Sequence, residues 1–523
     1  MSRDKISYYL IFTGLLLLVG SLPLSRFGMS VSQIFLGLGW IINGRFDEKI
    51  KKFFNCRSAV LLASVYLLHV LGVLWSTDLD YALKDLRIKL PLLILPFILA
   101  SVKPLTKEHF QWVLGTGVLA VFAGSMISMA VYQGFGNDEF TDIRNISVFI
   151  SHIRFALLIC VSVISSAWLS FQFWHNRSRL MSYLLILMSI WLTVFLFILE
   201  SLTGLFILGV VFVALIIYQV IKMRNTTITI TATIIIVVGC VCLVNYFSTL
   251  YGNISNKETL VFDEIEMITS NGNKYYHVKE ANTYENGTYI WAYICDVELE
   301  SGWSARSDLK LHDEDKKGQK LRTTLIRYMS SKGLRKDSTG LVQLTEEDIH
   351  CIENGVANYL YNEKNPIEAR LMQVVWEIHD YINDGNPSGH SFAQRFEYWK
   401  TSIAIIKDHP IIGVGTGDVP SAFVDKYNET ESYLTSEWRL RAHNQYLSIG
   451  VGFGLVGFLW FILALFHPVI AMIRKRSFLF ITFFMIASIS MLTEDTLETQ
   501  AGVTFFTLFT CLYLFVNPNK SSC

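Results

Sequence analysis

Charge is scarce in this sequence. Asp, Glu, Lys and Arg make up 17% of its 523 residues, against roughly a quarter in ordinary soluble proteins, while 52% are hydrophobic and the mean hydropathy is +0.40. That balance excludes a soluble fold of this length, and the bilayer has to be the solvent. An excess of one sign is missing too: 44 basic residues face 44 acidic ones, so no basic field points to a nucleic-acid partner. The eight cysteines show no CxxC pair and no Cys/His cluster at zinc spacing, so neither a metal site nor a thiol redox motif is indicated. Cys295 and Cys351 share the most polar stretch, where an oxidising compartment could join them; two free thiols are the equal alternative. A cleavage site is lacking behind the N-terminal apolar run, MSRDKISYYLIFTGLLLLVGSLPLS, which reads as a retained first helix.

What is present is a series of apolar runs. A spanning helix needs about 20 mostly apolar residues, and such runs fall near 6–25, 29–44, 58–76, 88–102, 110–132, 147–171, 181–199, 203–221, 228–249, 446–471, 478–492 and 500–516. The run at 88–102 is the weakest, because Pro91 and Pro96 remove backbone donors. Loop charge tests the count independently, since short cytoplasmic loops are enriched in Lys and Arg. With the N-terminus inside, the inner loops hold seventeen basic residues, among them Arg45, Lys49, Arg177, Arg179, Arg474, Lys475, Arg476 and Lys520. The short outer loops hold five: Arg26, Lys84, Arg87, Lys89 and Arg144. Asp138, Glu139, Asp142, Glu494, Asp495 and Glu498 cluster outside, and a solvated face accounts for the last three. The expected class is therefore a polytopic all-α membrane protein of about twelve transmembrane helices, both ends cytoplasmic, with a large mixed α+β extracytoplasmic insert between the ninth and tenth.

The layout divides the chain into transmembrane helices 1–9 over residues 1–249, a soluble insert over 250–391, an amphipathic helix and Gly-rich loop over 392–442, and transmembrane helices 10–12 over 443–523. Within the insert, NKYYHVKEA, TYIWAYICDVELE and WSARSDLKL alternate like strands. From about 319 the pattern turns helical, and Thr345 followed by Glu346, Glu347 and Asp348 marks a helix N-terminus.

The residues able to carry chemistry gather late in the chain. In QRFEYWKTSIAIIKDHP, Phe396, Trp399, Ile403 and Ile406 mark an amphipathic helix suited to a membrane surface, ending at His409-Pro410. The following GVGTGD, from Gly413 through Gly415 to Asp418, offers either a phosphate-cradling loop or a tight turn. His443 stands where the chain re-enters the bilayer, before Gly450, Gly452, Gly454 and Gly457. His152 and Arg154 lie in an apolar run at the same expected face, and a buried Arg needs a carboxylate or phosphate partner. Glu200 is the candidate structural partner.

The stretch from 394 to 458 resembles the signature region of the O-antigen ligase and polymerase superfamily. The resemblance rests on Arg395 before Trp399, on His409-Pro410, on Gly413-Val414-Gly415, and on His443-Asn444 followed by nine residues, Gly454, two residues and Gly457. One departure is visible: the family's usual Arg near the segment SLTGLFIL is Leu202 here. Arg154, with Leu158 four residues on, is the inferred substitute.

That resemblance implies a metal-independent glycosyltransferase of the bacterial inner membrane, with its active site facing the periplasm. It needs no cofactor: the donor is a glycan on a polyprenyl diphosphate, and the acceptor is lipid A-core, a growing glycan or a protein hydroxyl. Membrane lipids are partners and nucleic acid is not. The implied catalytic residues are His443 as general base with Arg395 and Arg154 clamping the diphosphate; the implied substrate-binding residues are Asn444, Trp399, His152, Gly413 and Gly415. A ligase onto lipid A-core leads, ahead of a polymerase and a protein O-oligosaccharyltransferase. A flippase or transporter ranks lower, because the ionisable residues gather at one face instead of the bilayer midplane.

Overall fold

The computed structural model describes residues 2–135, 143–176, 178–255, 260–280, 283–363, 365–383 and 386–518. Asp138, Glu139, Asp142, Arg177 and Lys520 lie outside the described residues. The chain runs through α1 (Arg3–Ser21), α2 (Arg26–Ile42), α3 (Phe46–Asn55), α4 (Arg57–Gly72), α5 (Leu79–Lys89), α6 (Pro91–Ser101), α7 (Lys107–Tyr132), α8 (His152–His175), α9 (Arg179–Ile198), α10 (Leu202–Met223) and α11 (Thr226–Ser255). A small hairpin follows, β1 (Tyr284–Glu285) and β2 (Thr288–Tyr289), then α12 (Asp296–Ser304), α13 (Leu321–Ser331), α14 (Ser338–Val342), α15 (Glu346–Glu353), α16 (Leu360–Glu363) and α17 (Pro366–Ile382). The last elements are α18 (Ser391–Asp408), α19 (Val419–Glu429), α20 (Gln445–Arg474), α21 (Phe478–Ser490) and α22 (Gln500–Cys511). These fall into two compact units, one of residues 1–138, 144–215 and 395–523, the other of 139–143 and 216–394.

Every expected apolar run is helical, yet they are not equally long. Among the described residues, eight helices are long and apolar enough to cross a membrane, or nine if α2 and α3, bent by 116°, form one span. The runs that fall short of the expected twelve are α6, α21 and α22. The 11 residues of α6 rise only about 16 Å, half of a bilayer core. Pro91 opens α6 at its first turn, Pro96 sits inside it, and Val102 is already extended. Residues 502 to 516 of the last segment are all buried, as befits a helix apolar on every side and enclosed by others.

In the first unit α20 is broken. Gly454 adopts φ 60° and ψ −159°, which frees backbone donors that a membrane interior cannot leave unpaired. The loop before α19 supplies acceptors: Leu455 N donates to Pro410 O at 2.8 Å and Val456 N to Ile411 O at 3.2 Å. Reciprocally, Val414 N and Gly415 N donate to Val451 O and Gly452 O at 3.0 and 2.9 Å. A Cβ on Gly454 would stand 2.4 Å from the Ile411 carbonyl carbon, and one on Gly413 2.4 Å from that of Gly452. The spacing of His409-Pro410, Gly-x-Gly and the two later glycines is thus the footprint of one backbone-to-backbone joint.

The second unit is mainly helical, which corrects the mixed α+β expectation. Its sheet is one hairpin closed by Asn286 and Gly287 at φ 47° and 85°, the left-handed pair that a two-residue primed turn requires. The NKYYHVKEA segment makes only isolated bridges, such as Tyr276 with Ile294. DVELESGWS becomes α12, because Leu299 and Trp303, one helical turn apart, are both fully buried while Asp296 and Glu298 occupy its first turn. WSARSDLKL forms no strand. The helical expectations hold in α13, α15 and α17, and Thr345 with Asp348 forms a capping box. Cys295 and Cys351 are buried free thiols.

Candidate active site

Several segments of the first unit meet at one end of its helices: α5, the start of α8, one face of α19, the stretch 439–443, and the turn between α21 and α22. They enclose an open cavity of about 570 Å³. Its cations are Lys84, Arg154, Arg439 and Arg441, its carboxylates Asp85, Glu494, Asp495 and Glu498, and its apolar wall includes Ile88, Phe423 and Val424. This size is typical of a ligand site.

His443 lines that cavity in a strained backbone conformation, φ +45°. Such geometry in a residue with a Cβ costs of order 1 kcal/mol or more and persists only where its surroundings impose it. Asp495 imposes it, accepting from His443 N at 3.1 Å, Asn444 N at 2.9 Å and Ser448 Oγ at 2.7 Å. The imidazole stacks on Tyr398 with ring centroids 5.5 Å apart. Its Nδ1 is buried without a hydrogen bond and lies 3.9 Å from Glu494 Oε2, an ion-pair distance beyond hydrogen-bond reach. The side chain is 35% exposed, which leaves Nε2 as the nitrogen for a substrate.

Arg395 does not line the cavity as a free clamp. It sits behind Glu494, donating Nη2 to Glu494 Oε1 at 3.0 Å and Nε to Thr493 O at 3.3 Å, with its side chain 17% exposed. Burial pushes the Glu494 carboxyl up, but His443 and Arg395 outweigh it and hold the group below the usual carboxylate range. Arg154 does line the cavity, together with Glu494 and Asp495, and donates to Ser151 Oγ at 3.0 Å. Its carboxylate neighbours are therefore those of the last turn and not Glu200, which sits in the α9–α10 turn at φ 50°.

The sequence reading missed a second cluster. Lys89, 1% exposed, donates to Asp85 at 2.5 Å and to Glu498 at 2.7 Å. Glu498 also accepts from Arg441 at 3.1 Å and from Gln445 Nε2 at 3.2 Å. Burial raises the Glu498 carboxyl, yet Lys89 and Arg441 keep it strongly depressed. Asp495 ends up raised, by burial first and by the neighbouring Glu498 second. The acidic turn is therefore no solvated face: Glu494 and Asp495 are 8% exposed and serve as the electrostatic floor of the site. The legible signals were Asp85 and Lys89 one helical turn apart in a chain so poor in charge, and the ED-x-x-E spacing at a membrane boundary.

The remaining expected residues divide. Asn444 caps α20, its Oδ1 accepting from Tyr446 N and Leu447 N and its Nδ2 donating to Leu492 O, so both ends of its amide are engaged. Trp399 packs on the core around Tyr398 and Tyr427 with Nε1 buried and unbonded. His152 is the half-buried first residue of α8 and is not among the cavity's lining residues. Gly413 and Gly415 belong to the joint already described. The N–H groups of Gly413, Val414, Gly415, Thr416 and Gly417 all donate to protein acceptors, so these five are engaged in packing the loop. The α18 stripe is likewise split, with Phe396 and Ile403 exposed and Trp399 and Ile406 packed inward.

Long apolar helices mark a multi-pass membrane protein, and its first unit holds a polar, charge-balanced cavity. Residues 355–462 match the family described as O-antigen ligase, a span that holds Arg395, Trp399, His409, Gly413, Gly415, His443, Asn444, Gly454 and Gly457. That match covers about a fifth of the chain and supports a relationship to the O-antigen ligase superfamily. A protein of Haemophilus influenzae described as uncharacterised is 30% identical over 128 residues, which is 24% of this chain and 32% of that relative. The match thus spans about a third of the relative's length.

Proposed function

We propose that this chain is an O-antigen ligase, transferring a glycan from a polyprenyl-diphosphate carrier to a hydroxyl of lipid A-core at the periplasmic face of the bacterial inner membrane. Both termini are then cytoplasmic, and 250–391 is an appended periplasmic module. The observation that carries the reading is His443, held in a left-handed backbone by Asp495 and turned to a cavity that also holds Arg154, Arg439, Arg441 and Lys84.

In this reaction the acceptor hydroxyl gives its proton to His443 Nε2 while its oxygen attacks the anomeric carbon. The bond from that carbon to the phosphate oxygen breaks, and the electron pair leaves with the diphosphate. Glu494, 3.9 Å from Nδ1, stabilises the imidazolium so formed. Arg154 and Arg441 are the cations best placed for the departing phosphates, since guanidinium groups pair with them bidentately. Direct displacement inverts the anomeric configuration. Arg395 acts through Glu494 as a positioning residue.

The test replaces His443 with Ala in the native host. Expected are bare lipid A-core and full-length chains left on the carrier, with protein level and membrane insertion unchanged. Wild-type surface glycan in that variant would refute the enzymatic reading. Single repeat units on the core would reassign the chain as a polymerase, and an intact ladder with unmodified exported proteins as a protein O-oligosaccharyltransferase.

A further inference from the structure

The helix α19 has two working faces. Pro420, Phe423 and Val424 line the cavity just described, at the i, i+3, i+4 spacing of one helix face. The opposite face, from Ser421 through Asp425 to Glu429, lines a second open groove of about 510 Å³. One helix, about 10 Å across with its side chains, therefore separates the two.

The two spaces differ in charge. The cavity balances four cations against four carboxylates, whereas the groove sets Asp408, Asp418, Asp425 and Glu429 against Lys426 and His409. That lysine is already neutralised by Asp408 and by Glu429 at 2.5 Å. Asp418 is locked too, accepting from Thr77 N at 2.9 Å and Asp78 N at 2.8 Å. Asp425, exposed, has no ion-pair partner among the described residues and keeps its acceptors free. The indole of Trp75, from the end of the α4 segment, lines the same groove with Nε1 buried and unbonded.

An indole face beside open carboxylate acceptors suits a polyol: its C–H face packs on the ring and its hydroxyls donate to the carboxylates. A phosphate or uronate would instead meet an excess of like charge, four carboxylates against Lys426 and His409. We propose that this groove is a second carbohydrate subsite, holding an uncharged or amine-bearing stretch of the glycan while its diphosphate end occupies the cation-lined cavity across α19. The proposal rests on the glycosyl-transfer reading and adds the chemical class of glycan accepted next to the reacting end.

The experiment measures binding directly, on the full-length chain in detergent, by saturation-transfer NMR. The probes are the phosphate-free oligosaccharide that mild acid releases from the host's lipid-linked pool, and inorganic pyrophosphate. The wild type should bind the oligosaccharide, and Trp75→Ala should weaken it by roughly tenfold or more through the lost aromatic surface. Trp75→Phe should stay within about threefold of the wild type, because an aromatic face remains. Pyrophosphate binding should not move in either variant. If Trp75→Ala disturbs folding, Asp425→Asn at an exposed position takes its place, with an expected loss of about threefold to fivefold from one weakened hydrogen bond to a charged acceptor. Unchanged oligosaccharide binding in Trp75→Ala and Asp425→Asn, or none in the wild type, overturns the proposal. Such a result with transfer intact would remove the subsite alone; Trp75-dependent binding in a protein that transfers nothing would remove the ligase reading alone.

Discussion

The position of Arg395 decides between two mechanisms, and a double-mutant cycle separates them. The structure places its guanidinium 3.0 Å from Glu494, with the two side chains 17% and 11% exposed. A hydrogen bond between charged groups so enclosed is worth about 1.5–3 kcal/mol, which as transition-state stabilisation is about 10- to 150-fold in kcat/KM. Arg395→Gln and Glu494→Gln should each lose about that much, because each leaves the other charge unpaired and Glu494 no longer fixed beside His443. The double variant should then be no more than about threefold worse than the poorer single one, a coupling of roughly 1–3 kcal/mol. Had Arg395 touched the diphosphate itself, the two losses would multiply. The assay is transfer kinetics of purified protein with a polyprenyl-diphosphate glycan and an acceptor, with thermal unfolding as the folding control. Additivity within about 0.5 kcal/mol would refute the positioning role.

Two further outcomes follow from packing and titration. Gly413→Ala places a Cβ 2.4 Å from the backbone of Gly452 at φ 68°; it should cost more than about 1 kcal/mol and appear as a lowered melting temperature, and an unchanged one would deny the backbone joint its structural importance. In the second unit, burial raises the Glu298 carboxyl, but hydrogen bonds from Asn273, Thr269 and Ser338 outweigh it and bring it down from the usual 4.5 to about 2. A depressed carboxyl stabilises the fold above its unfolded value and loses that contribution as pH falls through the folded one. Acid titration of the full chain, followed by hydrogen exchange at α12, should therefore show protection lost between about 4.5 and 2. Glu298→Gln should flatten that dependence, and an unaltered acid profile would refute the assignment.

Much of this was open to reading one residue at a time. Hydropathy determined the solvent and the all-helical class, because a backbone in lipid must pair with itself. Local chemistry determined the cap at Thr345 and the pairing of acidic first turns with helix starts. The pattern from Arg395 to Gly457 singled out, with His443 in it, a stretch that lies inside the family match. Strand alternation failed in the DVELE end of TYIWAYICDVELE because burial of Leu299 and Trp303 overrode a local pattern that either structure could satisfy. Apolarity measures burial as well as lipid contact, and α6, α21 and α22, counted among the twelve, are short helices with many buried residues.

Partnership was decided only by the tertiary structure. Arg395 meets Glu494 across 99 residues, His443 meets Asp495 across 52, and Lys89 meets Glu498 across 409. A carboxylate in a short polar turn reads as solvated until the fold closes other segments over it, and that closure turned the acidic last turn into the floor of the site. The Gly-rich loop shows the converse: glycines permit close approach, but whether to an anion or to another backbone depends on what stands opposite. Here it is the broken part of α20 around Gly454, whose freed donors pair with the Pro410 and Ile411 carbonyls.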